Sequence, residues 1–490
     1  SDTLRVHFYD RGSEEKDPMA AAYARMICIP VFPKHIVEDM TIADFGFNWI
    51  GATEGQDPPL VGSGPFMATE NIVEEFTTGD KITLLRNPNY HWKAEKGLEL
   101  DFDKLEMIFF NDAYAMALAL EGGELDIAQF PPSEYLAIKD KVESGELEDI
   151  EVYDGPKCTQ YWTEVSVCMS TGGPNPSRLD PVIRQAMAHA TDKTYIVNNH
   201  YLGLADEGTT LIPPVNEQWH YEPTADELYE FDLDVADALL EDGGYRYIDD
   251  SGVRAATADS YAVQIGLVPE GTKLKYEMAI RQEYPEERQI AIFLQEQWGE
   301  VGIEIEYDIM TEAALGVLVY SYEYDTMLWY WSADVDPMYQ LFCQTAASFG
   351  GWNDNMYSTP SYEENFTASV QEFDLEKRMV NVDNMQRTHY LDAYYFILAY
   401  VYQTFAWRTD NFIGWGDWEA HPGLSADHFW SGAPLYFELE YIGGPPPEVP
   451  WLAIGAGMAI VVAAAVVAVV LKKRGDKRKP ETEDSSPLGE

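Results

Sequence analysis

Few residue spacings in this chain could support covalent chemistry. No HExxH pair, no GxSxG elbow and no glycine-rich phosphate loop occurs in its 490 residues. The nine histidines are scattered, and His421 and His428 are poorly spaced for a metal on one helix. A glycosidase needs two carboxylates roughly 5 to 9.5 Å apart. With 84 acidic residues, such pairs identify nothing, and a cell-surface hydrolase is the remote reading. One run concentrates the chemistry of recognition instead: Trp329, Tyr330 and Trp331, followed by Asp334. Flat rings offer stacking faces, and a carboxylate beside them offers a strong charge-assisted acceptor. Asp336-Pro337, just beyond, reads as a helix N-cap with proline at the first helical position. These residue types suit contact with a ligand rather than bond breaking, and no cofactor or metal is expected.

The elements that must position that run follow from periodicity. Over 81–127 the pattern is strand, turn at Asn87-Pro88-Asn89, strand, helix capped by Asp112 and stopped by Gly122-Gly123, then strand. That predicts a βαβ unit. A second helix-to-strand unit covers 285–310, where Ile290, Phe293, Leu294 and Trp298 share one helical face and Gly302 breaks it. Helices are also predicted over 179–198 and 232–240, the latter closed by Gly243-Gly244, and Arg184 on the former reads as a structural ion-pair residue. The stretch 354–411 reads as one long amphipathic helix and then an aromatic strand ending near Trp407. Alternating helices and strands over this length predict an α/β architecture of at least two lobes.

Composition bounds the rest. Asp and Glu number 84 against 32 Lys and Arg, a formal net charge of −52, yet 46% of residues are hydrophobic and 13% aromatic. Such a chain folds, repels nucleic acid, and suits a salt-rich, halophilic setting. Cys28, Cys158, Cys168 and Cys343 are too few for a disulfide scaffold, and their pairing stays open. Residues 451–471 carry no charge, begin with an interfacial Trp451 and are followed by Lys472, Lys473 and Arg474. They predict a transmembrane helix, with the tail 472–490 cytoplasmic, the preceding body extracellular, and 445–450 a proline-rich linker. Asn365-Phe-Thr367 is a glycosylation sequon on the outward side.

Seven short motifs in order then resemble family 5 extracellular solute-binding proteins, the peptide-binding components of ABC importers. They are Ile29-Pro-Val-Phe-Pro-Lys-His-Ile36, Gly62-Ser-Gly-Pro-Phe66, Leu85-Arg-Asn-Pro-Asn-Tyr90, Glu121-Gly-Gly-Glu-Leu-Asp126, Pro181-Val-Ile-Arg-Gln-Ala186, Ala238-Leu-Leu-Glu-Asp-Gly-Gly-Tyr245 and Trp331-Ser-Ala-Asp-Val-Asp-Pro337. The resemblance implies a bilobal periplasmic-binding-protein-like fold: 1–160 as a partial lobe I, 161–395 as lobe II and 396–444 as the return to lobe I. It implies capture of a di- or oligopeptide between the lobes, with Asp334 receiving the ligand's α-ammonium group and Trp329, Tyr330 and Trp331 lining the cleft. It also implies delivery to an ABC permease served by a separate ATPase. An oligosaccharide is the alternative ligand. The C-terminal anchor resembles archaeal members. Only 28 residues precede the first motif, where the family carries a longer segment, so the expectation is a chain lacking its N-terminal part.

Overall fold

In the computed structural model, residues 64–155, 161–332, 336–415 and 434–443 are described. The first short runs become β1 (Phe66–Ala68), β2 (Lys81–Arg86) and β3 (Lys104–Ile108), an antiparallel sheet in that order. The Asn87 turn forms as expected, with Asn87 Nδ2 donating to Gly64 O and Asn89 N donating to Asn87 Oδ1. A short helix, His91–Lys96, follows before β3, closed by Gly97 at φ 69°. Asp112 caps the helix Ala113–Glu121 by accepting from Ala115 N. The next strand, β4 (Ile127–Gln129), leaves the first sheet and with β5 (Ile150–Gly155) joins a strand from the far end of the chain. The expected βαβ unit over 81–127 is therefore not formed. Its elements exist, but their pairing is set by a distant partner that local periodicity does not contain.

A six-stranded sheet holds most of the remaining chain. Its members in chain order are β6 (Tyr161–Val167) and β7 (Ala205–Glu207), then, after a separate hairpin of β8 (Tyr245–Tyr247) and β9 (Arg254–Ala256), β10 (Lys275–Arg281), β11 (Glu304–Met310), β12 (Thr326–Ser332) and β13 (Tyr395–Val401). The spatial order is β11-β10-β12-β6-β13-β7. Here the second predicted helix-to-strand unit forms, and β10 ahead of it completes a βαβ: β10 and β11 run parallel, Lys275 opposite Glu304, joined by the helix Pro285–Glu300. Ile290, Leu294 and Trp298 are buried in the main core, while Phe293 stacks on Tyr195 at 4.4 Å. β14 (Gln403–Arg408) completes the three-stranded sheet between β4 and β5, over a core of Leu120, Phe130, Tyr135 and Ile138. β15 (Phe412–Ile413) and β16 (Glu440–Tyr441) pair with each other.

The chain passes between the six-stranded sheet and the β4-β14-β5 sheet twice. β5 leads to β6 across residues 156–160, and β13 leads to β14 through Tyr402 alone. Both passages leave the six-stranded sheet at one end, because Tyr161 pairs with Val401, and both reach the other sheet side by side, because Gly155 pairs with Gln403.

Other expectations are refined. The long helix within 354–411 is two helices, Pro360–Gln371 and Leu375–Leu391, because Asp374 turns its side chain onto Lys377 N and starts a new one. The helix over 179–198 shortens to Pro181–His189, and Asp192 then caps a short turn. Arg184 is structural, but it donates to the carbonyls of Asp392, Arg178 and Leu179 rather than forming the expected carboxylate pair. Asn365 sits within a helix, its amide donating to Ser361 O. Asp336 accepts from Met338 N, yet the helix Met338–Cys343 begins after Pro337, and the Asp336 carboxylate is held by both Nη atoms of Arg378 at 2.8 Å. Cys168 and Cys343 are buried, and Cys28 and Cys158 lie outside the described residues. The predicted membrane segment 451–471 and the linker before it also lie outside them. Among the described residues, no helix is long and apolar enough to cross a membrane.

The helix Leu233–Asp242, capped by Asp232, ends as predicted at Gly243-Gly244. Gly244 has φ +83°, and a Cβ there would come within 2.6 Å of Ser260 N. Gly271 has φ +87° and open space. Gly271→Ala is expected to cost about 1–2 kcal/mol for the positive φ alone, and Gly244→Ala about 3 kcal/mol or more because the contact adds to it. Denaturant midpoints compare the two, and equal losses would remove steric contact as the cause.

Candidate functional site

β12 changes character along its length. Thr326, Met327 and Leu328 are buried, and from Trp329 to Ser332 every residue is half-buried. The register explains this: Trp331 lies opposite Trp162 and Ser332 opposite Tyr161, at the end where both passages leave the sheet. The aromatic run therefore opens beside the two connections between sheets.

Its three rings are used differently. Trp329 and Tyr330 lend faces to Arg281, whose guanidinium carbon lies 4.8 and 4.4 Å from their ring centres and 3.9 Å from that of Tyr284. Arg281 is itself buried at the end of β10 and paired with Glu287, Nε to Oε1 at 2.9 Å, while Nη1 reaches Glu312 Oε2 at 3.2 Å. Tyr330 also lies near Tyr161, at 6.1 Å between rings. Trp331 meets Trp352 edge to face at 6.2 Å, and Trp352, 52% exposed, in turn lies 6.0 Å from Tyr339. Trp331, Trp352 and Tyr339 thus form an aromatic surface of which Trp352 is the open part. Asp334 lies in 333–335, outside the described residues.

Behind Trp331 is a buried carboxylate pair. Trp331 Nε1 donates to Asp354 Oδ2 at 3.1 Å. The Tyr395 hydroxyl lies 2.6 Å from Glu164 Oε1 and 3.2 Å from Asp354 Oδ2. Burial, followed by the charge of Asp354, drives the Glu164 carboxyl well above the usual range. Burial also lifts Asp354, to about 6, against the pull of its bonds from Trp331 and Tyr395. Residue patterning missed Arg281, Asp354 and Trp352 as parts of this site. Glu164 left a signal: it is the one charge in Tyr161–Val167, where every residue after Tyr161 is buried. Among the described residues, no group of three or more His, Cys, Asp or Glu could hold a metal. A cavity of about 420 Å³, lined by Asn175, Tyr276 and Asp325, lies at the opposite end of β12. We discount it as the main site because the aromatic run is absent from its walls.

A family model described as bacterial extracellular solute-binding proteins, family 5 Middle, matches residues 13–353. The chain belongs to family 5 of the bacterial extracellular solute-binding proteins. The curated oligopeptide-binding protein AppA of Bacillus subtilis is 25% identical over 316 residues, covering 64% of this chain and 50% of the relative. The family 5 chain thus spans about half the length of the curated relative it matches. Its fold is shared with AppA solved in complex with a nonapeptide, at TM-score 0.68, 18% identity, 87% of this chain and 75% of that one. It is shared equally with a mannohexaose-bound periplasmic oligopeptide-binding protein of Thermotoga maritima, at TM-score 0.68, 17% identity, 89% of this chain and 79% of that one. These neighbours are bilobal, mixed α/β binding proteins, in line with the architecture expected from the sequence. Family 5 comprises solute-binding proteins of transport, not enzymes.

Proposed function

We propose that this chain is the substrate-binding protein of an ABC importer, capturing di- or oligopeptides between two α/β lobes and passing them to a permease with a separate ATPase. The observation that carries the reading is the half-buried aromatic end of β12, beside the two passages between sheets. A hinge there would let the lobes close on a ligand by rigid-body motion. The lobes are assigned as 1–160 with 402–444, and 161–401: the expected return to lobe I at 396 moves to Tyr402, since β13 still pairs with β6 in the six-stranded sheet. Within the cleft, Trp331 supplies contact area, Trp329 and Tyr330 hold Arg281 in the wall, and Asp334 accepts the ligand's ammonium group. Residues 451–471 anchor the body to the outer face of the membrane, in the archaeal manner, with 472–490 inside.

The test is a thermal-shift screen of the full chain in high salt against free-amine peptides, N-acetylated peptides and oligosaccharides. A ligand at about 100 times its Kd adds about 2.7 kcal/mol of stability. Free-amine peptides are expected to shift the protein, and Asp334→Asn to weaken them by about 1.5–3 kcal/mol, roughly ten- to a hundredfold. Oligosaccharide binding that survives Asp334→Asn and fails in Trp331→Ala would favour the second reading, which the mannohexaose-bound relative supports. The charge of −52 adds a further expectation: stability rises with NaCl as repulsion is screened, and a denaturation midpoint unchanged between 0.1 and 3 M NaCl would reject a halophilic design.

A further inference from the structure

The pair Glu164 and Asp354 is bridged by one phenol, and hydrogen counting constrains its charge. Tyr395 has a single hydroxyl proton and two carboxylate oxygens in reach, Glu164 Oε1 at 2.6 Å and Asp354 Oδ2 at 3.2 Å. A neutral Glu164 donates its own proton to the Tyr395 oxygen, which frees the Tyr395 proton for Asp354. Asp354 then carries the charge and accepts from both Tyr395 and Trp331 Nε1. Both carboxyls are buried and each keeps one oxygen without a hydrogen bond, Glu164 Oε2 and Asp354 Oδ1, so the convergence of Trp331 Nε1 and the Tyr395 hydroxyl on Asp354 Oδ2 is what places the charge there. We propose that Asp354 is a positioning residue whose ionised carboxylate, tied through Tyr395 to neutral Glu164, fixes the indole of Trp331 at the end of β12, so that the aromatic surface follows the charge on Asp354. This deepens the reading above and rests on it in one respect, that Trp331 faces the ligand.

The surroundings leave Asp354 as the group that changes charge near neutrality. On β6, Glu164 is held neutral; on β13, burial raises Tyr395 well above its ordinary value, so it stays a phenol. From the segment before β12, Tyr320, Tyr322 and Tyr324 are likewise raised by burial, as is Tyr394 beside β13. His389, 5.4 Å from the Tyr395 ring, is pushed by burial down to about 3. Arg281 stays cationic and acts on Glu164. Since burial lifts Asp354 to about 6, its charge is present above that pH and lost as pH falls through it. A charge-assisted bond is roughly twice as strong as a neutral one, so the grip on Trp331 loosens in the same window.

The full chain labelled with 5-fluorotryptophan provides the test, the Trp331 resonance being assigned with Trp331→Phe. In the parent protein that resonance is expected to titrate with a midpoint near pH 6. In Asp354→Asn, which keeps an acceptor for the indole and cannot ionise, it stays at the low-pH position. Peptide affinity in the parent falls about three- to tenfold from pH 7 to pH 5 and is flat in Asp354→Asn at the weaker value. A Trp331 resonance that does not titrate, or that titrates unchanged in Asp354→Asn, overturns the proposal, as does peptide affinity with the same pH profile in both proteins. A titrating indole with no peptide binding at pH 7 supports the coupling of Asp354 to Trp331 and removes the peptide-binding reading instead.

Discussion

Arg178→Ala is expected to lose about 3–5 kcal/mol of folding free energy, because it leaves a buried carboxylate without its cation. The Arg178 and Asp325 side chains are both fully buried, with Nη1 3.0 Å from Oδ1. Arg178 also donates through Nε to Cys168 O and through Nη2 to Ser170 O, binding the end of β6 to the start of β12. Gly173 leaves the space this requires, since a Cβ there would lie 2.4 Å from Arg178 Nη2. Burial already raises the Asp325 carboxyl, and Arg178 is among the groups holding it down. Without the arginine, Asp325 rises further above its unfolded value, so the deficit is full at neutral pH and shrinks as pH falls toward about 4. Urea titrations at pH 7 and pH 4.5 read both features. The double variant Arg178→Met with Asp325→Leu is expected to recover only part of the loss, since Asn175 N and Glu277 N both donate to Asp325 and would be orphaned. A single-variant loss below about 1 kcal/mol would mean that water reaches the carboxylate.

Trp298→Ala is expected to cost a similar 3–5 kcal/mol, through a different term. Trp298 is fully buried on the helix Pro285–Glu300, edge to face with Phe396 at 6.4 Å, and its Nε1 donates to Thr191 Oγ1 at 3.0 Å. Alanine leaves a cavity between that helix and β13. Trp298→Phe retains much of the packing, and Thr191 keeps its bond to Met187 O, so a loss of about 1–2 kcal/mol is expected. The two variants are compared by denaturant midpoint at constant m-value. Equal losses for Ala and Phe would assign the effect to the hydrogen bond rather than to the void.

These residues show what was readable in advance. Trp298 was placed on its buried face by spacing alone, because a helix repeats every 3.6 residues and its apolar stripe is local information. The cap at Asp112 was readable for the same reason: its side chain meets an amide only three residues away. Arg178 drew no notice, since the partner that decides its role lies far along the chain at Asp325.

The same division runs through the candidate site. The aromatic run at Trp329, Tyr330 and Trp331 was visible as composition, and the family was visible as ordered motifs. Which rings remain available was not. Trp329 and Tyr330 are drawn to Arg281 because β10 lies beside β12, and Trp331 is tied to Asp354 from a separate loop. The failed βαβ unit has the same origin: β4 finds β14 rather than β3, although its own residues form the strand that was expected. By itself, the sequence determined the buried face of the helix Pro285–Glu300, the cap at Asp112, the stop at Gly243-Gly244, the acidic charge and the family, because those properties are set within a few residues or by composition. Tertiary structure alone decided sheet membership, the point where β13 passes to β14, and the pairing of buried charges. Each of those depends on register between strands distant in sequence, and a one-residue change in register reverses every side chain it carries.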